Sequence, residues 1–201
     1  MWAELRRRLE GGIVVLDPLR EEHVPALWTA AQDRRVWRWM LTDAGASQEA
    51  FRAWVDAALR AAEARREVPF AVLDARRGTP LGSTRYLSLR PEHRGLEIGY
   101  TWLASEAWGT GANAEAKLLL LEHAFEHAGC IRVEFKTNAR NERARKALEA
   151  LPATFEGVFR RHMLVQGGAV RDSAWYAVTD AEWPAVREAL ARRVAAYASR
   201  R

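Results

Sequence analysis

The stretch that decides the fold is Trp102-Leu103-Ala104-Ser105-Glu106-Ala107-Trp108-Gly109-Thr110-Gly111-Ala112-Asn113-Ala114-Glu115-Ala116-Lys117. It reads as the end of a strand, a Gly-x-Gly turn and the opening of a long helix. That helix is predicted over 109–128, with Ala114, Leu118, Leu121, Phe125 and Ala128 on one stripe. Glycines at the turn let the backbone bend tightly and bring N–H groups close to a ligand. The helix start adds unpaired N–H groups and the positive end of the dipole. Together they suit a diphosphate. The same two glycines also suit a tight turn with close packing and no ligand. The dinucleotide pattern Gly-x-Gly-x-x-Gly fails at Ala114, and no Gly-Lys-Ser/Thr follows.

Working outward, 96–103 is a predicted strand before the turn, and 131–138 is one after the helix. The latter alternates Ile131, Val133 and Phe135 with Arg132, Glu134 and Lys136, as a half-buried strand does. Further strands are predicted at 13–16, 69–73 and 81–89. Between the first two lie a helical pattern over 20–31, an apolar cluster of Trp37, Trp39, Met40 and Leu41, and a helix capped by Ser47. That helix carries Phe51, Trp54, Val55, Ala58 and Leu59 on one stripe. Downstream, Asn141 caps a short helix over 141–151. Residues 155–165 and 170–178 form a hairpin around Gln166-Gly167-Gly168. Thr179-Asp180-Ala181-Glu182 is a capping box that opens a final helix to Tyr197. The order implies an α/β chain (α+β mixed) with helices on both faces of a mixed sheet.

Composition bounds the rest. The chain has 201 residues, with no linker or repeat dividing it, and reads as one domain. At 49% hydrophobic it is too apolar for long disorder, and its apolar runs are far shorter than the ~20 residues of a membrane span. The N-terminus lacks the apolar core of a secretory leader, and a lone Cys130 forms no internal disulfide, so a cytoplasmic location is expected. The charge is 31 − 26 = +5, nearly all of it arginine, since the lysines are Lys117, Lys136 and Lys146. The arginines are spread along the chain among acids, so no direct nucleic-acid partner is expected.

The element order and the strand–Gly-x-Gly–helix–strand–Asn core resemble the GNAT (GCN5-related N-acetyltransferase) family. Its diphosphate signature, Gln/Arg-x-x-Gly-x-Gly/Ala, falls on Trp108-Gly109-Thr110-Gly111-Ala112-Asn113, with Trp in the first slot and Asn in the last. The run Trp108 to Lys117 is similar instead to a RimJ/RimL-like subgroup. Leu120 to Glu126, Arg132 to Asn138, Asn141-Glu142-Arg143, Phe155 to Arg160, and Arg171-Asp172 with Glu182-Trp183-Pro184 agree with it. The resemblance covers 12–190 and implies a GNAT-like, mostly antiparallel central sheet. It also implies acetyl transfer from acetyl-CoA to an amine: a protein N-terminus, such as that of a ribosomal protein, or a small amine. The diphosphate is then expected on the amides of Gly109, Thr110, Gly111, Ala112, Asn113 and Ala114, beside Trp108. The pantetheine arm is expected along Tyr100, Thr101, Trp102 and Leu103. Asn138, Asn141, Lys117 and Arg145 (with Arg143) are further candidate contacts. The resemblance is compatible with a monomer or a homodimer.

The reaction needs a neutral amine. Deprotonating a lysine at pH 7 costs about 4–5 kcal/mol, and an α-amine about 1–1.5 kcal/mol. Glu97, in Leu96-Glu97-Ile98-Gly99-Tyr100, is the candidate base. Strict alternation places Leu96, Ile98, Tyr100 and Trp102 on one face and Glu97, Gly99 and Thr101 on the other, with Gly99 leaving room for a substrate. The family's usual proton donors, a Tyr seven residues or a Ser three residues after the capping Asn, are replaced here by Leu148 and Ala144. Tyr100 and Ser105 are the remaining candidate acids. This departure motivates an alternative, a non-catalytic CoA-binding sensor or a ribosome- or RNA-associated module. His123-Ala124-Phe125-Glu126-His127 fits a zinc-protease spacing, but it sits on the helix that opens the CoA site, so no metal is expected. Trp37 and Trp39 are candidate walls of the acceptor groove, and Cys130 is expected to be a small buried residue.

Overall fold

The structure, a computed structural model, describes residues 2–199. In chain order its elements are α1 (Trp2–Leu5), β1 (Leu9–Glu10), β2 (Val14–Pro18), α2 (Val24–Ala31), α3 (Gln48–Glu63), β3 (Val68–Asp74), β4 (Pro80–Arg90) and β5 (Gly95–Leu103). Then come α4 (Ala112–Glu122), β6 (Arg132–Asn138), α5 (Glu142–Glu149), β7 (Thr154–Leu164), β8 (Val170–Thr179) and α6 (Trp183–Ala198). The strands form one sheet in the order β1-β2-β3-β4-β5-β6-β8-β7. All neighbours are antiparallel except β5 and β6. This is the expected mixed, mostly antiparallel sheet, with α1 and β1 added in front of what the sequence pattern predicts.

Two apolar layers hold it. Alternation along β3 sends Val68, Phe70 and Val72 to the layer under α4 and α6, and Ala71 and Leu73 to the layer under α2 and α3. Ser47 caps α3, its Oγ accepting from Ala50 N at 3.1 Å, and Phe51, Trp54, Val55 and Ala58 face the sheet as their spacing predicts. α4 is buried nearly all round, because the sheet lies on one side of it and α6 on the other. It starts at Ala112, three residues later than predicted, and ends in a π turn over His123–His127. That turn spends the metal-like residues on packing: His123 Nε2 meets Glu4 O at 2.6 Å, and Glu126 accepts from Trp183 Nε1 at 2.9 Å. At the last helix the side chain of Glu182 reaches back to Thr179 N at 2.8 Å, and α6 itself begins one residue later at Trp183, followed by Pro184.

Candidate active site

The parallel pairing of β5 and β6 covers only Gly95–Glu97 against Arg132–Glu134. Beyond it the strands diverge, and the edge of β5 facing β6 has no partner. A cavity of about 400 Å³ opens in the gap. β5 is also bulged. Ser83 pairs with Trp102 and Arg85 with Gly99, so Tyr100 and Thr101 together oppose Thr84, and Tyr100 sits at φ 48°. The extra residue breaks the alternation expected from sequence. Tyr100 and Trp102 join the α2/α3 layer, opposite to Leu96 and Ile98, which stay in the α4 layer. Thr101 turns instead toward α4, where its Oγ1 accepts from Lys117 Nζ at 2.6 Å. The bulge therefore brings Glu97 and Tyr100 to the same face.

At the other end of the cavity lies the start of α4. Gly109 and Gly111 have φ of 75° and 90°, the left-handed region open to glycine. A Cβ on Gly111 would come within 2.8 Å of Tyr197 and 2.9 Å of Ile13. Thr110 Oγ1 donates to Ala107 O and bends the turn. Glu115 is structural: its carboxylate accepts from Gly12, Ile13 and Val14 N at 2.6–3.0 Å and ties α4 to the front of β2. Trp108 donates from Nε1 to Leu103 O at 2.9 Å, and the Arg143 guanidinium lies 3.7 Å from its ring centre.

Of the expected CoA contacts, Tyr100, Thr101, Trp102, Leu103, Trp108, Gly109, Gly111, Asn113, Ala114, Lys117 and Asn141 line the cavity, as does Arg143. Thr110, Ala112, Asn138 and Arg145 lie outside the lining. Asn138 Oδ1 accepts from Arg140 N, and Arg145 binds the Tyr176 hydroxyl at 3.0 Å and Ala139 O at 3.3 Å. Asn141 both caps α5, through Ala144 N, and reaches Thr137 Oγ1. Lys117 is no surface lysine. It is 5% exposed, and burial pulls its pKa down to about 7.

Where the pairing ends, Glu97 is 2% exposed and its Oε2 accepts from Lys136 Nζ at 2.7 Å and Ser88 Oγ at 3.2 Å. The room beside Gly99 is not left open: a Cβ there would stand 3.0 Å from Glu97 Oε1 and 3.0 Å from Leu87. The carboxylate itself and Leu87 occupy that space. Tyr100 lines the cavity, and burial raises its pKa, so its phenol holds its proton at neutral pH. Ser105 lies outside the lining and hydrogen-bonds Asp33. Ala144 and Leu148 do line it, as apolar wall. Cys130 is buried, its thiol pushed up to about 11, which makes it a poor nucleophile.

Trp39, Met40 and Leu41 form the remaining wall. Trp37 does not. It is buried in the α2/α3 layer among Phe51, Trp54 and Trp102, with Nε1 donating to Ala31 O at 2.7 Å. Two residues that sequence reasoning passed over hold this end together. Lys136 pairs Glu97 from the next strand, and Gln166, at the tip of the β7–β8 hairpin, donates from Nε2 to Trp37 O at 2.9 Å and Met40 O at 3.0 Å. Neither contact has a local sequence signal.

A family model described as an acetyltransferase (GNAT) domain matches residues 14–154. The chain belongs to the GNAT acetyltransferase family. Among solved structures it is similar to a GCN5-related N-acetyltransferase from Brucella melitensis, at 30% identity and a TM-score of 0.87, over 94% of this chain and 86% of that one. RimJ from Mycobacterium smegmatis, solved in complex with CoA-disulfide, shares the fold at 24% identity and a TM-score of 0.80, over 96% of each chain. RimL, a ribosomal alpha-N-protein acetyltransferase in complex with coenzyme A, shares it at 20% identity and a TM-score of 0.73, over 86% of this chain and 98% of that one. No curated protein matches the sequence. The acetyltransferase uses acetyl-CoA and an amine acceptor. Its residues suit that donor: first-turn amides of α4 without intrahelical partners, an unpaired strand edge along β5, and one cavity joining them. Among the described residues no helix is long and apolar enough to cross a membrane.

Proposed function

We propose that the acetyltransferase modifies a protein N-terminal α-amine, that of a ribosomal protein or one like it, by direct attack of the amine on the thioester. Bound acetyl-CoA supplies the electrophilic acetyl carbon and a thiolate leaving group. The amides of Gly109 to Ala114 hold the diphosphate against the α4 dipole, Lys117 and Asn141 flank the arm, and the free edge of Tyr100 to Leu103 takes the pantetheine as a strand would. Glu97 accepts the proton of the incoming ammonium, directly or through a water. Tyr100, protonated at neutral pH and on the same face, returns a proton to the sulfur. Ala144 and Leu148 exclude water without taking part in proton transfer. The observation that carries the reading is the buried Glu97 carboxylate brought to the face of Tyr100 by the β5 bulge. An α-amine fits a site lined by one carboxylate, because it needs only about 1–1.5 kcal/mol of help at pH 7. The fold shared with RimJ and RimL points the same way.

The test is acetyl transfer to a panel of N-terminal peptides, lysine-only peptides and small amines, read by mass spectrometry. N-terminal peptides are expected to dominate. Glu97→Gln is expected to lower kcat on an N-terminal peptide by about 5- to 10-fold at pH 7, the roughly 1–1.5 kcal/mol that the base supplies, with CoA affinity unchanged. Preferred transfer to lysine side chains or small amines would overturn the acceptor assignment. An unchanged rate in Glu97→Gln would overturn the base.

A further inference from the structure

Arg171 is the second residue of β8 and pairs across the hairpin with Met163. It lines the active-site cavity together with Glu97, Tyr100 and Lys136, and it is 6% exposed. Its Nε and Nη2 are buried with no hydrogen-bond partner among the described residues. A buried guanidinium without a hydrogen bond is costly, and the Glu97 carboxylate attracts Arg171 through space without bonding it, so this arrangement suits a further anion brought by a ligand. One oxygen each of Glu97 and Asp172 is engaged elsewhere. Oε2 of Glu97 is taken by Lys136 and Ser88, and Asp172 Oδ1 accepts from Arg161 N at 2.6 Å. Glu97 is also the one acid in the lining, against Lys117, Lys136, Arg143, Arg171 and Arg193.

Arg85 supplies an internal contrast. Its Nε and Nη2 are likewise unpartnered, but its guanidinium is packed 4.2 Å from the Trp54 ring and 4.5 Å from that of Tyr100, and it pairs with Glu67. Arg85 is accounted for within the fold and does not line the cavity. Among the described residues Arg171 has no stacking ring and no ion-pair contact, only the through-space attraction of Glu97, and it lines the cavity beside that carboxylate. Nε and Nη2 form one edge of the guanidinium fork, the edge that takes both oxygens of a carboxylate in parallel hydrogen bonds.

Resting on the N-terminal α-amine reading above, we propose that Arg171 is a specificity residue that binds a carboxylate of the acceptor, so that the preferred substrate is a peptide with an acidic residue at its first or second position. The α-carboxylate of a free amino acid is the other source of the same chemistry, and the experiment separates the two.

Wild-type enzyme is assayed under saturating acetyl-CoA on peptides that begin with Asp or Glu, on matched peptides with Asn or Gln, and on free aspartate and asparagine. Acidic peptides are expected to exceed their amides about 10- to 100-fold in kcat/KM, the range of a charge-assisted hydrogen bond. Arg171→Gln is expected to abolish that preference by slowing the acidic peptides far more than the amides, and Arg171→Lys to restore part of it. Equal rates on acidic and amide peptides in the wild type would overturn the proposal, and this arm needs no folded variant. Equal loss on both peptide sets in Arg171→Gln would also overturn it, as a structural role. Transfer to free amino acids in preference to acidic peptides would assign the carboxylate contact to an amino-acid acceptor and overturn the peptide form. Binding of N-acetylated acidic and amide peptides to the CoA-saturated enzyme gives a readout without turnover. Tighter binding of the acidic product with no peptide acetylation would sink the transfer reading while upholding the Arg171 contact. Equal binding alongside active transfer would do the reverse.

Discussion

Lys117 is the residue whose physical state departs furthest from its sequence reading. Its ammonium is enclosed between α4 and β5 with only Thr101 Oγ1 to bind, and its pKa falls to about 7. The unfolded lysine keeps its proton to about 10.5. Between these values the unfolded chain holds one proton more, so stability rises with pH, and below pH 7 the full penalty applies. The slope approaches about 1.4 kcal/mol per pH unit. Cys130 acts in the opposite sense above pH 9, because its buried thiol keeps a proton that the unfolded chain loses. Between pH 7 and 8.5, denaturant unfolding of the ligand-free enzyme is therefore expected to show rising stability, and Lys117→Met to flatten that rise. An unchanged slope in the variant would assign it to other groups. Gly99→Ala is a second residue-scale test. Its Cβ presses on Glu97 Oε1 and Leu87 at 3.0 Å, so the carboxylate must shift. A fall in kcat of about ten-fold is expected from a misplaced base, with CoA affinity retained. Weakened CoA binding instead would place the damage elsewhere.

At the scale of elements, the start of α4 and the bulge of β5 divide the work. The α4 turn depends on a left-handed Gly111 whose missing side chain lets Tyr197 of α6 close over it. Gly111→Ala is expected to cost about 1–3 kcal/mol of stability through strain and overpacking, and to weaken CoA binding by more than ten-fold as the turn opens. Calorimetry on the free enzyme and titration with CoA check the two parts separately. Wild-type CoA affinity in this variant would remove the turn from the CoA site. Much of this element was legible in the sequence: the strand, the two glycines and the helix follow from local rules, and Asn141 was readable as a cap. The bulge was not. Period-two alternation is a rule for regular strands, and a single residue at φ 48° inverts every facing after it. Tyr100 and Trp102 were accordingly assigned to the wrong side.

For the whole molecule, the cavity wall at Trp39, Met40 and Leu41 is held by parts far apart in the chain. Gln166 at the hairpin tip holds the carbonyls of Trp37 and Met40, joining the far edge of the sheet to the loop between α2 and α3. Gln166→Ala is expected to raise the acceptor KM several-fold and to speed hydrogen exchange around 37–41, with little change in Tm. Unaltered exchange there would show that the loop is held without the clasp. The sequence by itself determined the family, the order of elements, the glycine turn and the capped helices, because each depends on residues within a few positions of one another. Only the tertiary structure decided that Lys117 is buried, that Arg145 turns away, that Trp37 belongs to the core, that Lys136 and Arg171 line one cavity with Glu97, and that Gln166 clasps the loop before α3. Those contacts join residues separated by dozens of positions, and only the closing of the sheet and its hairpin sets their distances.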